Sequence, residues 1–276
     1  MTHQRLTRQW LAPAHASAPS EATANGILHS LTPQDRVRLT PALEPINFNL
    51  GDVVCEAGNR LDYVYFPTSC VVSSLYTTES GATAEMALVG NDGVVGVSLF
   101  LSDDVMPASA VVVAAGSALR MRARSARDEF AAGGLLQGRL LRYTQALITQ
   151  ISQTAVCNRL HAVEQRLCRW LLMCHDRVAS DELQMTQEFI SNMLGGRRET
   201  VTVAAGRLQD AGLIRYARGH LTILDRHGLE ALVCECYSYV EAECSRLAVT
   251  HAVPVDASSS RAMKDLSWSK LSGRVT

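Results

Sequence analysis

Arg198 and Glu199 are the adjacent pair in this chain whose types suit the most specific chemistry. An arginine fork donates two parallel hydrogen bonds, which matches the paired acceptors on the major-groove edge of guanine. A glutamate accepts, which matches the exocyclic amino group of cytosine. Thr202 and Val203 follow one helical turn later, so on a helix all four project from one side. Thr186, Gln187, Arg197, Arg215 and Arg218 suit phosphate instead, a contact that fixes docking register without reading sequence. The competing reading makes Arg198–Glu199 an ordinary solvated pair on a helix surface. The frame that holds the pair decides between them.

That frame is the run MTQEFISNMLGGRRETVTVAAGRLQDAGLI, residues 185–214. Thr186 is a good N-cap, and Glu188 in the first turn suits the helix dipole. Phe189, Ile190, Met193 and Leu194 give that helix a buried face. Gly195-Gly196 ends it, because glycine takes a left-handed conformation freely. A second helix begins at Arg197 or Arg198, with Val201, Ala205 and Leu208 as its inner stripe. Two short helices joined by a tight glycine turn predict a helix-turn-helix, with Arg198, Glu199, Thr202 and Val203 outside on the second helix. LIRY and LTIL then flank Ala217-Arg218-Gly219-His220, a predicted hairpin that lays Arg215 and Arg218 beside a nucleic-acid backbone.

The rest of the chain must carry this unit. Residues 46–123 alternate short β-prone runs with Gly, Asn and Asp turns, the pattern of a small β-sandwich or barrel. A long helix follows, and Leu136, Leu140, Tyr143, Leu147 and Ile151 form one stripe along it. The stripe suits either packing on its own β domain or a seam between two subunits. The expected organisation is α+β: a mobile arm at 1–25, a β-roll at 26–130, a long helix at 131–158, a winged helix-turn-helix at 159–233, and a C-terminal helix and tail at 234–276; that the roll is sensory and the long helix a dimerisation helix is what the family resemblance below implies. In the arm Trp10, and in the tail Leu266 and Trp268, are the residues that could dock.

Composition excludes some classes. Net charge is −1, so nucleic-acid binding must come from a local surface and not from bulk charge. No apolar run approaches the roughly 20 residues of a membrane helix, and the N-terminus lacks the apolar core of a secretory signal. A cytoplasmic protein without membrane association is expected. The eight cysteines form no C-x-x-C pair and read as free thiols. Cys234, Cys236 and Cys244 offer a partial metal or redox set, but structural zinc needs four ligands and the spacing supplies no fourth. No metal or cofactor is therefore expected. No nucleophile elbow, zinc-hydrolase motif or P-loop occurs. Asp103, Asp104 and Glu129 are the carboxylates an enzyme on this β domain would have to use.

The run at 185–214 resembles the Crp/Fnr helix-turn-helix signature, through Thr186-Gln187-Glu188, Gly195, Arg198-Glu199-Thr200-Val201, Leu208 and Gly212-Leu213-Ile214. The strands at 43–123 look like the cyclic-nucleotide-binding β-roll of that family, and the long helix sits where the family places its dimer helix. The resemblance implies a homodimer on a pseudo-palindromic operator in double-stranded DNA, with RNA polymerase as a further partner.

The chain also departs from the family. Members that bind cyclic AMP carry a Gly-Glu pair and, further on, an Arg that neutralises the phosphate. The counterpart here is Gly96, Val97 and Ser98, then Pro107 and Ser109. The acidic position holds Val97 and the Arg position Pro107. A phosphate buried there would lack a counter-charge, so tight cyclic AMP binding is not expected and the effector is left open. No cysteine precedes Cys55, unlike the cluster of oxygen-sensing members. His29 and Cys70 are the haem-ligand types considered. Many relatives carry an Arg four residues after the recognition Glu, where this chain has Val203. One bidentate guanine contact is missing, about 1–3 kcal/mol of discrimination.

Overall fold

A computed structural model describes residues 22, 24–102 and 104–248; Trp10, Leu266, Trp268 and Asp103 lie outside them. The chain opens with α1 (Gly26–His29) and α2 (Pro33–Leu39), then builds a β-roll from β1 (Leu43–Phe48), β2 (Val53–Cys55), β3 (Tyr63–Pro67), β4 (Val71–Thr77) and β5 (Thr83–Val89). A short helix α3 (Ser98–Leu101) interrupts it before β6 (Ser109–Ala114) and β7 (Gly116–Arg122). The strands form two antiparallel sheets, ordered β1-β7-β3 and β2-β6-β4-β5. Leu61, Val64, Phe66, Met106, Leu119 and Met121 fill the roll.

The composition predicts a mobile arm up to residue 25, but Asn25 is buried. Its Nδ2 donates to Pro67 O (2.8 Å) and Gly93 O (2.9 Å), while its Oδ1 caps α1 by accepting from the Ile27 and Leu28 amides. The domain therefore begins before Gly26.

After α4 (Ala123–Ala131) the chain enters α5 (Gly134–Leu160). Gly133 and Gly134 have φ of 78° and 82°, so a left-handed turn, open to glycine, launches the helix. The expected seam needs correction here. Leu136 and Leu140 are taken into the β-roll core of their own chain, and Tyr143 packs against it; Leu140 is 1% exposed. These residues face inward and cannot also be knobs for a second subunit, and Leu147 and Ile151 are half-buried. The opposite edge is open. Gly134, Gly138, Leu141, Gln145, Ile148, Ser152, Ala155 and Arg159 are all exposed, and their alternating spacings of 4 and 3 make a heptad stripe. Leu141 and Ile148, at 48% and 52% exposure, are its large apolar members.

The C-terminal part comprises α6 (Val163–His175), β8 (Glu182–Gln184), α7 (Gln187–Leu194), α8 (Arg198–Asp210), β9 (Ile214–Ala217), β10 (His220–Ile223), α9 (Arg226–Leu232) and α10 (Cys236–Ala248). It docks on the outer face of the β-roll. Val71, Leu75, Leu88 and Val113 share a core with Trp170, Ile190, Val201 and Leu208. Two polar contacts cross the same boundary. Trp170 Nε1 and Ser73 Oγ both donate to Glu85 Oε2, at 3.0 and 2.7 Å, and Arg177 pairs with Asp92 at 2.7 Å. Helix α10 returns to pack on α5 and α6.

Candidate nucleic-acid interface

The recognition unit is built from its caps outward. Thr186 Oγ1 accepts from the Phe189 amide (3.1 Å) and starts α7. Gly195, at φ 58° and ψ 34°, stops it. Val201, Ala204, Ala205 and Leu208 bury one side of α8 and fix its rotation. The other side, with Arg198, Glu199, Thr202, Val203 and Gly206, is exposed. The four expected base-reading residues therefore lie together on one open edge.

Local contacts refine the individual roles. The Thr202 hydroxyl lies 2.9 Å from both Gln187 Oε1 and Arg198 O. It donates inward, to the chain itself, which leaves its methyl and lone pairs outward. Gln187, at the first turn of α7, has its carbonyl oxygen engaged by Thr202. Arg197, Arg198, Arg215 and Arg218 are all exposed around this edge, a local basic surface on a chain with net charge −1.

The expected wing is present. β9 and β10 pair antiparallel with His220 opposite Ala217, which leaves a two-residue turn. Arg218 and Gly219 have φ of 51° and 83°, the left-handed pair of a type I′ hairpin. Arginine is rare at such a φ, and here it occupies the tip of the wing.

The effector-pocket residues fall otherwise. Gly96 has φ 106°, and a Cβ there would lie 3.1 Å from Val64 and 3.2 Å from Leu61, so packing explains the glycine. Val97 is half-buried and Pro107 exposed. Ser98 Oγ donates to Met106 Sδ (3.5 Å), and Ser109 Oγ accepts from the Ala57 amide (3.1 Å). His29 is exposed on α1, while Cys70 is buried with Val72 and Val89. Of the carboxylates considered for enzyme chemistry, Glu129 pairs with Arg38, and Asp104 with Arg60 and Arg127. Sequence reasoning missed Glu85, Trp170, Asp92 and Arg177, because nothing in the spacing ties residues some 85 positions apart.

The family comparison places both halves. A family model for the cyclic nucleotide-binding domain matches residues 45–132, and one for the Crp-like helix-turn-helix domain matches 165–232. The chain belongs to the Crp/Fnr family. Its Crp-type helix-turn-helix and cyclic-nucleotide-binding fold make it a transcription regulator of that type, a family of regulators and not of enzymes. Solved Crp/Fnr-like structures share the fold. FixK2 from Bradyrhizobium japonicum is 17% identical, with a TM-score of 0.60 over 70% of this chain and 98% of its own. A CRP-family transcriptional regulator from Thermus thermophilus, TTHB099, is 16% identical, with a TM-score of 0.58 over 68% and 95%. No curated protein sequence matches the chain. Among the described residues no helix is long and apolar enough to cross a membrane.

Proposed function

We propose that this Crp/Fnr-type regulator acts in the cytoplasm as a homodimer joined along the open stripe of α5, and that it reads a pseudo-palindromic operator with paired α8 helices. The observation that carries this reading is the single exposed edge of Arg198, Glu199, Thr202 and Val203, backed by a buried stripe on the same helix. Arg198 and Glu199 select a G·C pair, Thr186, Gln187, Arg197, Arg215 and Arg218 hold phosphates, and Val203 gives the half-site a different base from the Arg-bearing relatives. RNA polymerase is the further partner. Selection of binding sites from random DNA tests this. Arg198→Ala is expected to lose about 1–3 kcal/mol of discrimination at one base pair while circular dichroism stays unchanged. Recovery of the same sites by both proteins refutes the assignment.

At the β-roll, the reading is that cyclic AMP is not the signal. It is supported by Pro107 at the phosphate position and by serine hydroxyls already engaged at 98 and 109. The packed interior of Leu61, Val64, Phe66 and Met106 favours a second reading, in which the roll serves protein contacts and DNA binding needs no effector. Footprinting of purified protein without added ligand separates the two: tight specific protection supports effector-independent binding, and protection only with cell extract supports a sensor.

A further inference from the structure

At the far end of α5, four residues distant in sequence meet. Cys157 lies in the last turn of the helix and His161 caps it. Cys234 and Cys236 stand at the start of α10. We propose that Cys157, His161, Cys234 and Cys236 form a structural zinc site that clamps α10 to the end of α5.

The geometry suits a tetrahedral ion. The four ligand atoms all lie within 4.8 Å of one another. Cys157 Sγ is 3.6 Å from Cys234 Sγ, and Cys236 Sγ is 3.4 Å from His161 Nδ1. Zinc bonds of about 2.3 Å to sulfur and 2.0–2.1 Å to nitrogen set tetrahedral edges of about 3.8 Å between two thiolates and about 3.6 Å between thiolate and imidazole. Closing on an ion thus takes small side-chain shifts. All three cysteines are buried, which matches a closed structural site and leaves no position for substrate.

The surroundings are those of a metal site. His161 Nε2 lies 3.3 Å from Glu235 Oε1, so the ring can give its other nitrogen to the metal while a carboxylate fixes its orientation. Gln153 Nε2 donates to Cys236 Sγ at 3.1 Å, a bond that favours thiolate. Three thiolates, one neutral imidazole and Zn²⁺ carry a net charge of −1. Arg169 supplies a buried cation that acts on Cys157, and its Nε and one Nη have no hydrogen-bond partner among the described residues. Arg169 also acts on the buried Glu85 carboxyl; the metal–thiolate anion adds counter-charge beside a buried cation that is costly to desolvate. Burial raises the Cys157 thiol above its ordinary value, so the metal-free site holds a proton there. Zinc binding displaces that proton.

The signature in the sequence is C-x₃-H followed by C-x-C. The expectation of a partial set failed by naming Cys244, which the fold places elsewhere, beside Met173, Asp176 and Tyr237.

The test uses the full chain, purified under reducing conditions without chelator. About one zinc per chain is expected by elemental analysis. Cobalt replacement should give the strong visible bands of a tetrahedral thiolate site with a thiolate-to-cobalt charge-transfer band. Cys236→Ser should lose the metal, whereas His161→Cys should keep it with a shifted cobalt spectrum; Cys244→Ser should change neither. The second and third variants keep the test decisive should Cys236→Ser fail to fold. A folded chain that holds no zinc and gives no cobalt bands overturns the proposal.

Discussion

Arg198 and Val203 stand on the same exposed edge of α8 and present opposite chemistries, a donor fork and an apolar branch. Val203 is 55% exposed, so its replacement disturbs little packing. Val203→Arg is expected to restore a guanine preference at one position of the selected half-site, at about 1–3 kcal/mol, with no change in melting temperature. Unchanged selected sites would show that this position does not face a base. Arg218 is the residue held at φ 51°. A left-handed arginine costs about 1–2 kcal/mol, while a glycine there loses about 0.5–1 kcal/mol to chain entropy. Arg218→Gly should therefore raise stability by about 0–1.5 kcal/mol. If the wing meets phosphate, it should also lower the salt slope of DNA binding by about one per contact removed; an unchanged slope means the wing stays clear of the backbone.

At the scale of elements, α5 separates two apolar stripes that its sequence superimposes, one packed on the roll and one open. Leu140 belongs to the roll, and Leu140→Ala should cost about 2–5 kcal/mol of stability measured by urea unfolding. Ile148 belongs to the open stripe. Ile148→Glu should leave each fold intact but place like charges across the seam, giving a monomer by light scattering and a loss of operator binding. A dimer that survives this change refutes the seam. The helix-turn-helix was legible because its signals are local: a cap, a glycine stop and an apolar stripe within 30 residues. The β-roll was legible from turn spacing. The face of α5 was not, because both its stripes carry apolar residues at near-heptad spacing and periodicity alone cannot say which one the chain keeps for itself. Partners such as Glu85 and Trp170, or Cys157 and Cys234, left no local trace, since topology alone joins them.

Across the whole molecule, the β-roll and the DNA-reading unit share one apolar core and a buried carboxyl. Burial raises the Glu85 carboxyl above its ordinary value of 4.5, against the lowering pull of its Trp170 and Ser73 donors and of Arg169 and Arg177. The folded state then holds a proton that the unfolded chain releases. The resulting stability is full below the ordinary carboxylate pKa and is lost as pH rises through the folded value. Glu85→Gln keeps an acceptor for Trp170 and Ser73 without titrating. Relative to the parent it should gain stability as pH rises above the ordinary carboxylate value in urea titrations; a difference that does not change with pH refutes the assignment. The return of α10 has a mechanical consequence of its own. The reading unit leaves α5 through Leu160, and its last helix comes back to pack on α5, while Arg226 pairs with Asp176 (2.7 Å) and donates to Tyr237. A body fastened at both ends to one rod cannot swing like a door on one pin. Any repositioning of α8 is expected to carry the rod with it, as a roll or slide of α5; in the proposed dimer, a signal and a change of subunit pairing would then arrive as a single motion.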